Sequence, residues 1–309
     1  MFLESITPLL VSAIGAAIPL LFAALGELIA EKAGVLNLGL EGTILMGALA
    51  SFLAVTEGSP LFLALLIGVA VSVLFTLLFA FVTISLQANQ VATGLSLTIL
   101  GVGLSAVIGK NYVGFSAAKS FTPTPIPFLK DIPLLGPSLF SLDYVAYFCI
   151  FSVIAIAWFL TKTKAGFALR AVGESPVVAR SLGLPVTKIR YLAVLFGGGF
   201  AGLAGVYYAL AQFKIWQDGL TSGNGWIALA LVVFGTWRPF KVALGALLFG
   251  SVTVLGLYFQ VVGIKISTFV LAGFPYVTTI LILVYLSMDK ETIRRHAPAW
   301  LGKPFFDDR

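Results

Sequence analysis

The stretch "PLFLALLIGVAVSVLFTLLFAFVTISL", residues 60–86, contains no charged side chain. A helix needs about 20 apolar residues to cross a hydrocarbon core of roughly 30 Å, and this run supplies them. Only helices and closed barrels satisfy their backbone hydrogen bonds in lipid, and the alternating pattern of a barrel strand is missing here. Comparable runs occupy Tyr144–Leu160, Tyr191–Phe213 and Phe269–Met288. The whole chain agrees: 59% of its 309 residues are hydrophobic and 10% charged, with a mean hydropathy of +1.05. Soluble domains carry roughly 25% charged residues. The reading is an all-α integral membrane protein.

Lys and Arg gather in three segments: Lys162, Lys164, Arg170, Arg180, Lys188 and Arg190; Arg238 and Lys241; and Lys290, Arg294, Arg295, Lys303 and Arg309. Such clusters mark cytoplasmic segments, so the net charge of +6 reads as positive-inside bias and not as a nucleic-acid surface. Counting outward gives about nine crossings, roughly 6–27, 41–56, 60–86, 91–109, 143–161, 191–213, 224–237, 242–262 and 269–288. An odd count places the N-terminus outside and the C-terminus in the cytoplasm. The opening "MFLESITPLLVSAIGAAIPLLFAALGE" has no basic n-region and too long an apolar run for a signal peptide, so it reads as a retained first span. Residues 110–142 then form an extracytoplasmic loop. Pro123, Pro125, Pro127, Pro133 and Pro137 favour an extended or turn-rich course over a further helix.

Two crossings are too short to be ordinary spans. One follows "AGVLNLGLEG" (Ala33–Gly42) and the other "QDGLTSGNG" (Gln217–Gly225). Each comes after a long span, and the two are entered from opposite sides. That pairing is the pattern of an inverted-topology repeat, about 6–109 and about 191–288, within one transmembrane domain over 1–309. Residues 162–190 become a cytoplasmic segment and 289–309 a cytoplasmic tail. Interrupted helices at membrane depth are tolerated mainly where they line a cavity. The substrate path is therefore expected beside Asn37, Gly39, Glu41 and Gly42 and beside Ser222, Gly223, Asn224 and Gly225. The other reading is that these glycines let helices approach closely.

Residues for catalysis are scarce. The single cysteine, Cys149, excludes a disulfide framework and a cysteine metal site, and the single histidine, His296, lies in the tail. No metal site, catalytic group or cofactor is expected. No GxxxxGK[ST] occurs, so any ATPase must be another chain; the glycines of "FGGGFAGLAG" (Phe196–Gly205) read as a helix-packing face. A carboxylate at bilayer depth costs about 2.5–3.5 kcal/mol and so marks a candidate site. Glu27 and Glu31, beside Lys32, read as interfacial groups reaching headgroups and water, which leaves Glu41. A proton-coupled carrier needs several such groups, and the later spans supply none. Trp216, Trp226 and Trp237 read as interfacial belt residues, the alternative being aromatic rims of the path together with Phe115.

"RAVGESPVVARSLGLPVTKIR" (Arg170–Arg190) stays out of the lipid. Glu174, Ser175 and Pro176 are first-turn residues and Gly183 is placed to end a short surface helix, with a second helix from about Pro185 running into the next span. An ordinary basic loop needs no such helix. "LRAVGESPVVARSLGLPVTKIRYLAVLFGGGFAGLAGVYYAL" closely resembles the coupling region of bacterial ABC importer permeases of the ribose and branched-chain amino acid superfamily. "GELIAEKAGVLNLGLEGTILMGALAS", "ANQVATGLSLTILGVGL" and "GWIALALVVFGTWRPFKVALGALLFG" resemble its nucleoside-import branch. The resemblance implies a permease subunit in the bacterial cytoplasmic membrane. It pairs with a second permease, an ATP-binding subunit and an extracytoplasmic substrate-binding protein, and carries a nucleoside or a simple sugar. It assigns ATPase coupling to Arg170, Gly173, Glu174, Ala179 and Gly183. An ion-coupled carrier is the competing class.

Overall fold

The computed structural model describes residues 2–262 and 296–305, together with residues 267, 270, 271, 273, 274, 277, 278, 280, 281 and 284. Eleven α-helices lie among them: α1 (Phe2–Lys32), α2 (Leu40–Thr56), α3 (Leu61–Ala80), α4 (Gln90–Gly109), α5 (Leu135–Leu139), α6 (Tyr144–Lys162), α7 (Lys164–Glu174), α8 (Pro176–Ser181), α9 (Val186–Tyr207), α10 (Asn224–Phe234) and α11 (Pro239–Val261). No strand is present among the described residues, only an isolated antiparallel bridge between Ser116 and Ile215. Among the described residues, six helical stretches are long and apolar enough to cross a membrane: Thr7–Lys32, Leu61–Ser85, Gln90–Tyr112, Tyr144–Lys162, Val186–Gln212 and Pro239–Gln260. Leu40–Thr56 and Asn224–Phe234 are apolar but shorter. At 1.5 Å per residue these two helices are about 25 Å and about 16 Å long, so α10 reaches only about half-way through a ~30 Å core. The expected crossing at 269–288 falls largely outside the described residues.

At the centre α1 packs on α9 and α11, while α9 packs on α1, α2 and α3. Their backbones come close because glycine leaves room. A Cβ at Gly26 would stand 2.7 Å from Phe200 Cβ and 2.9 Å from the Gly197 carbonyl oxygen, and one at Gly202 would stand 2.8 Å from Val69 Cα. The glycines of α9 are thus a packing face, as small residues are in membrane bundles. Phe22, Leu28, Ile44, Phe52, Ala204 and Leu210 form part of the core. α3 and α4 turn Phe62, Leu74, Ile99 and Val107 outward, an apolar face that suits lipid.

The bundle has two distinct ends. At one, residues 110–142 run extended and turn-rich, apart from a 3-10 turn at Lys110–Tyr112 and the five-residue α5, which packs on α1. The course is pinned to the chain leaving α9: Gly114 N–H donates to Trp216 O (2.9 Å), Ala117 N–H to Lys214 O (2.8 Å) and Phe121 N–H to Leu210 O (3.0 Å). Asp143 then caps α6, accepting from the Val145 and Ala146 amides at 2.9 Å each and from the Tyr207 hydroxyl at 3.0 Å. The other end carries Lys32, α7, α8 and residues 296–305, and is called the basic end below.

Trp216 and Trp237 are 1% and 5% exposed, so they are core residues and not members of an interfacial belt. Trp216 packs against Phe52, ring centroids 5.7 Å apart. Trp226 is partly buried and Phe115 is exposed.

Candidate functional site

The chain between α1 and α2 turns back into the bundle, and its buried polar groups are satisfied by neighbours. Glu27, on α1, accepts from the Asn37 amide at 2.8 Å, and Asn37 Oδ1 accepts from the Gly39 amide at 2.9 Å. Thr98 of α4 donates to Leu38 O at 2.9 Å. Close approach is again a matter of missing side chains: a Cβ at Gly94 would lie 2.8 Å from the Leu38 nitrogen, and one at Gly101 would lie 2.6 Å from Gly42 Cα.

α10 starts at the same place. Its N-terminal amides have no partner within the helix, and lipid offers none. Glu41, in the first turn of α2, supplies the acceptor. Its Oε1 accepts from the Thr221 hydroxyl and from the Gly223 amide at 2.8 Å, and its Oε2 accepts from the Gly225 amide at 2.6 Å. One carboxylate therefore stands at two helix N-termini, where the dipoles favour negative charge. Gly223 (φ +86°) and Ser222 (φ +47°) make the sharp entry that aims the amides at it. Gly225 must be glycine, since a Cβ there would lie 2.6 Å from Glu41 Oε2 and 2.7 Å from Glu41 Cα.

From this meeting point the two helices lead to opposite ends. α2 ends beside Glu57, whose carboxylate accepts from the Tyr112 hydroxyl at 3.3 Å near the proline-rich loop. α10 leads to Trp237, whose indole N–H donates to Glu31 Oε2 at 2.5 Å at the basic end. Glu27 and Glu31 are each 1% exposed, so neither reaches headgroups or water. Both are buried acceptors that fix the backbone and the ring opposite them, which corrects the interfacial reading. The two sets of expected path residues are brought together through Glu41, Gly223 and Gly225. Thr221, which the sequence reading passed over, completes the set; its place inside "QDGLTSGNG" was the available signal. Asn37 holds the turn before α2, and Gly42 packs against α4.

The 162–190 segment is not one short helix. α7 ends at Glu174, Ser175 breaks the chain, and α8 follows with Ser175 as N-cap (Val178 amide to Ser175 Oγ, 3.4 Å) and Pro176 at its first position. Gly173 and Glu174 thus close α7 and do not open a docking helix. Gly183 (φ +80°) ends α8. Gly173 and Ala179 are buried and Arg170 is partly buried with its guanidinium over the Phe167 ring (4.9 Å), whereas Glu174 and Gly183 are exposed. The outward face of this region is apolar: Val177, Val178 and Leu182 are 58%, 56% and 74% exposed. Together they form an exposed apolar cluster at the basic end. Sequence alone does not tell which face of so short a helix points outward.

Short helices meeting at a carboxylate, inside a bundle of long apolar helices, describe a multi-pass α-helical membrane protein. The chain belongs to the family described as branched-chain amino acid transport system / permease component, whose model matches residues 9–286. It is 38% identical over 315 residues, 95% of each chain, to a Haloferax volcanii protein provisionally named a glucose ABC transporter permease. It is 36% identical to the guanosine ABC transporter permease protein NupQ of Bacillus subtilis, covering 86% of this chain and 88% of that one. With the nucleoside ABC transporter permease protein NupC of Lactococcus lactis it shares 32%, over 86% and 87%. The chain is an ABC transporter permease subunit, a transport component and not an enzyme. Membership implies an ATP-binding subunit and a substrate-binding protein as partners, and sets aside the ion-coupled carrier.

Proposed function

We propose that this chain is a membrane subunit of an ATP-driven importer of nucleosides in a bacterial cytoplasmic membrane. It pairs with a second permease and receives substrate from an extracytoplasmic binding protein. The observation that carries the coupling role is the apolar outer face of α8. Val177, Val178 and Leu182 offer a docking surface to the ATP-binding subunit, with Glu174 at its edge and Gly183 setting its end. Arg170, Gly173 and Ala179 serve the same role from inside, holding α7 and α8 against the bundle. The basic end then faces the cytoplasm.

The inverted repeat is supported by the pairing of elements. α1, α2 and α3 correspond in order to α9, α10 and α11, and α1 packs on α11 much as α9 packs on α3. The path then runs beside the Glu41 junction, flanked by Asn37, Gly39 and Gly42 on one side and by Ser222, Gly223, Asn224 and Gly225 on the other. Closure of the ATPase on α8 biases this bistable arrangement between inward and outward openings.

The guanosine and nucleoside relatives support the nucleoside reading, and the haloarchaeal glucose-named relative favours a simple sugar as the second reading. The deciding experiment is uptake of labelled guanosine, glucose, ribose and leucine in cells expressing this chain with its ATP-binding, second permease and binding-protein partners. Guanosine uptake that vanishes when the ATPase is inactivated is the expected result. Glucose or ribose uptake with the same dependence establishes the second reading; uptake that survives inactivation overturns both.

A further inference from the structure

Residues 296–305 do not hang free of the bundle. They lie across the basic end and bond to several separate parts of the chain. The Trp300 amide donates to Gly173 O at 3.0 Å and the Ala299 amide to Glu174 Oε2 at 3.4 Å, so this stretch is fixed to the end of α7. Lys32, at the end of α1, donates to His296 O at 2.8 Å. Phe305 packs against Val172, Ala179 and Val186, the small core that joins α7, α8 and α9.

The other side of this strip reaches the interrupted stretch through Gln90, which is only 3% exposed. Its Nε2 donates to Lys303 O at 3.4 Å, and its Oε1 accepts from the Leu36 amide at 2.8 Å. Gln87 donates to Phe305 O at 3.1 Å. A buried side-chain amide with its donor on one segment and its acceptor on another is a specific joint, since the amide itself has no water to fall back on. Leu36 leads directly to Asn37 and so to the turn that starts α2 at Glu41.

We propose that residues 296–305 and Gln90 form a strap that transmits displacement of α7 and α8 to the Leu36–Gly39 turn, making Gln90 a positioning residue for coupling. The proposal rests on the docking reading of α8. It gives α8 a second route into the core besides the continuous helix α9. The route passes from Gly173 and Glu174 through Ala299, Trp300 and Lys303 to Gln90 and Leu36.

The test uses the complete transporter in proteoliposomes, with ATP hydrolysis and uptake of the transported substrate measured on the same sample. Two variants interrupt the strap: a chain ending at Arg295, and Gln90→Met, which keeps the volume and removes both hydrogen bonds. Uptake per ATP hydrolysed is expected to fall about tenfold in each, as the loss of a buried two-ended joint implies. Gln90→Glu, which keeps the acceptor for the Leu36 amide, should lose less. A purely structural role would lower the amount of assembled complex and leave the ratio unchanged. If the shortened chain does not assemble, Gln90→Met decides. A ratio within about twofold of the parent in assembled Gln90→Met overturns the strap, being smaller than the loss of one buried hydrogen bond. A parent whose uptake persists with a catalytically dead ATP-binding subunit overturns the underlying coupling reading instead, and the strap with it.

Discussion

Glu41 holds two helices together with one side chain, and that makes its chemistry testable at the scale of a single residue. Replacing it with Gln leaves one acceptor oxygen but turns an amide donor toward amide donors at Gly223 or Gly225. The variant is expected to lose about 1–3 kcal/mol of stability, seen as a lower unfolding midpoint in detergent. Thr221→Val removes a donor to the same carboxylate, so the two changes should be non-additive in a double-mutant cycle. Additive losses would separate Glu41 from α10. Trp237→Phe is the parallel case at the basic end. It keeps most of the ring and deletes the N–H that Glu31 accepts, leaving a buried carboxylate oxygen without that donor. A loss of about 1–3 kcal/mol in the same measurement is expected, and an unchanged midpoint would show that Glu31 does not depend on the indole. The sequence marked Glu41 as the carboxylate of interest, but it could not pair Glu31 with Trp237, 206 residues away. Proximity to Lys32 alone suggested headgroups, whereas the Leu36–Gly39 turn over Glu27 and Trp237 over Glu31 leave both glutamates buried.

At the scale of elements, Gly183 gives the sharpest test. Its φ of +80° lies in the left-handed region, and a Cβ there would meet nothing within 4 Å. The cost of a side chain is therefore backbone strain alone, about 1–2 kcal/mol for a β-branched residue and less for Asn. Gly183→Val should redirect the chain after α8 and reduce uptake per ATP hydrolysed, while Gly183→Asn stays near the parent. Equal behaviour of the two variants would detach the turn from coupling. The proline at 176 and the glycine stop were legible, because such chemistry is local, whereas Ser175 reads as a first-turn residue and is the cap. The break at Ser175 that makes two helices of the segment was not legible, since Gly173 and Glu174 look equally like the start of one helix or the end of another. Which face of α8 points outward was also hidden: burial of Ala179 against Val172 and Val186 leaves Val177, Val178 and Leu182 exposed.

For the whole molecule, the orientation of the bundle can be read by labelling. Cys149 is fully buried, so the parent should be silent to a membrane-impermeant maleimide. A cysteine placed at exposed Lys130, in the proline-rich loop, should label from outside intact cells, and one at exposed Lys188 only after the membrane is opened. The reverse pattern would invert the topology and remove α8 from the cytoplasm.

The amino-acid sequence by itself determined that this is a helical membrane protein, where its apolar runs lie, that two of its helices are interrupted, and which family its motifs resemble. Each follows from composition, run length or local turn chemistry, which act over a few residues. Tertiary structure alone decided that the two interruptions meet at one carboxylate, that two tryptophans expected at the interface are core residues, and that residues 296–305 lie across the basic end. Those outcomes depend on which long helices pack together. In this bundle that choice is made by glycine-lined surfaces whose complementarity exists only once α1, α3 and α9 are side by side.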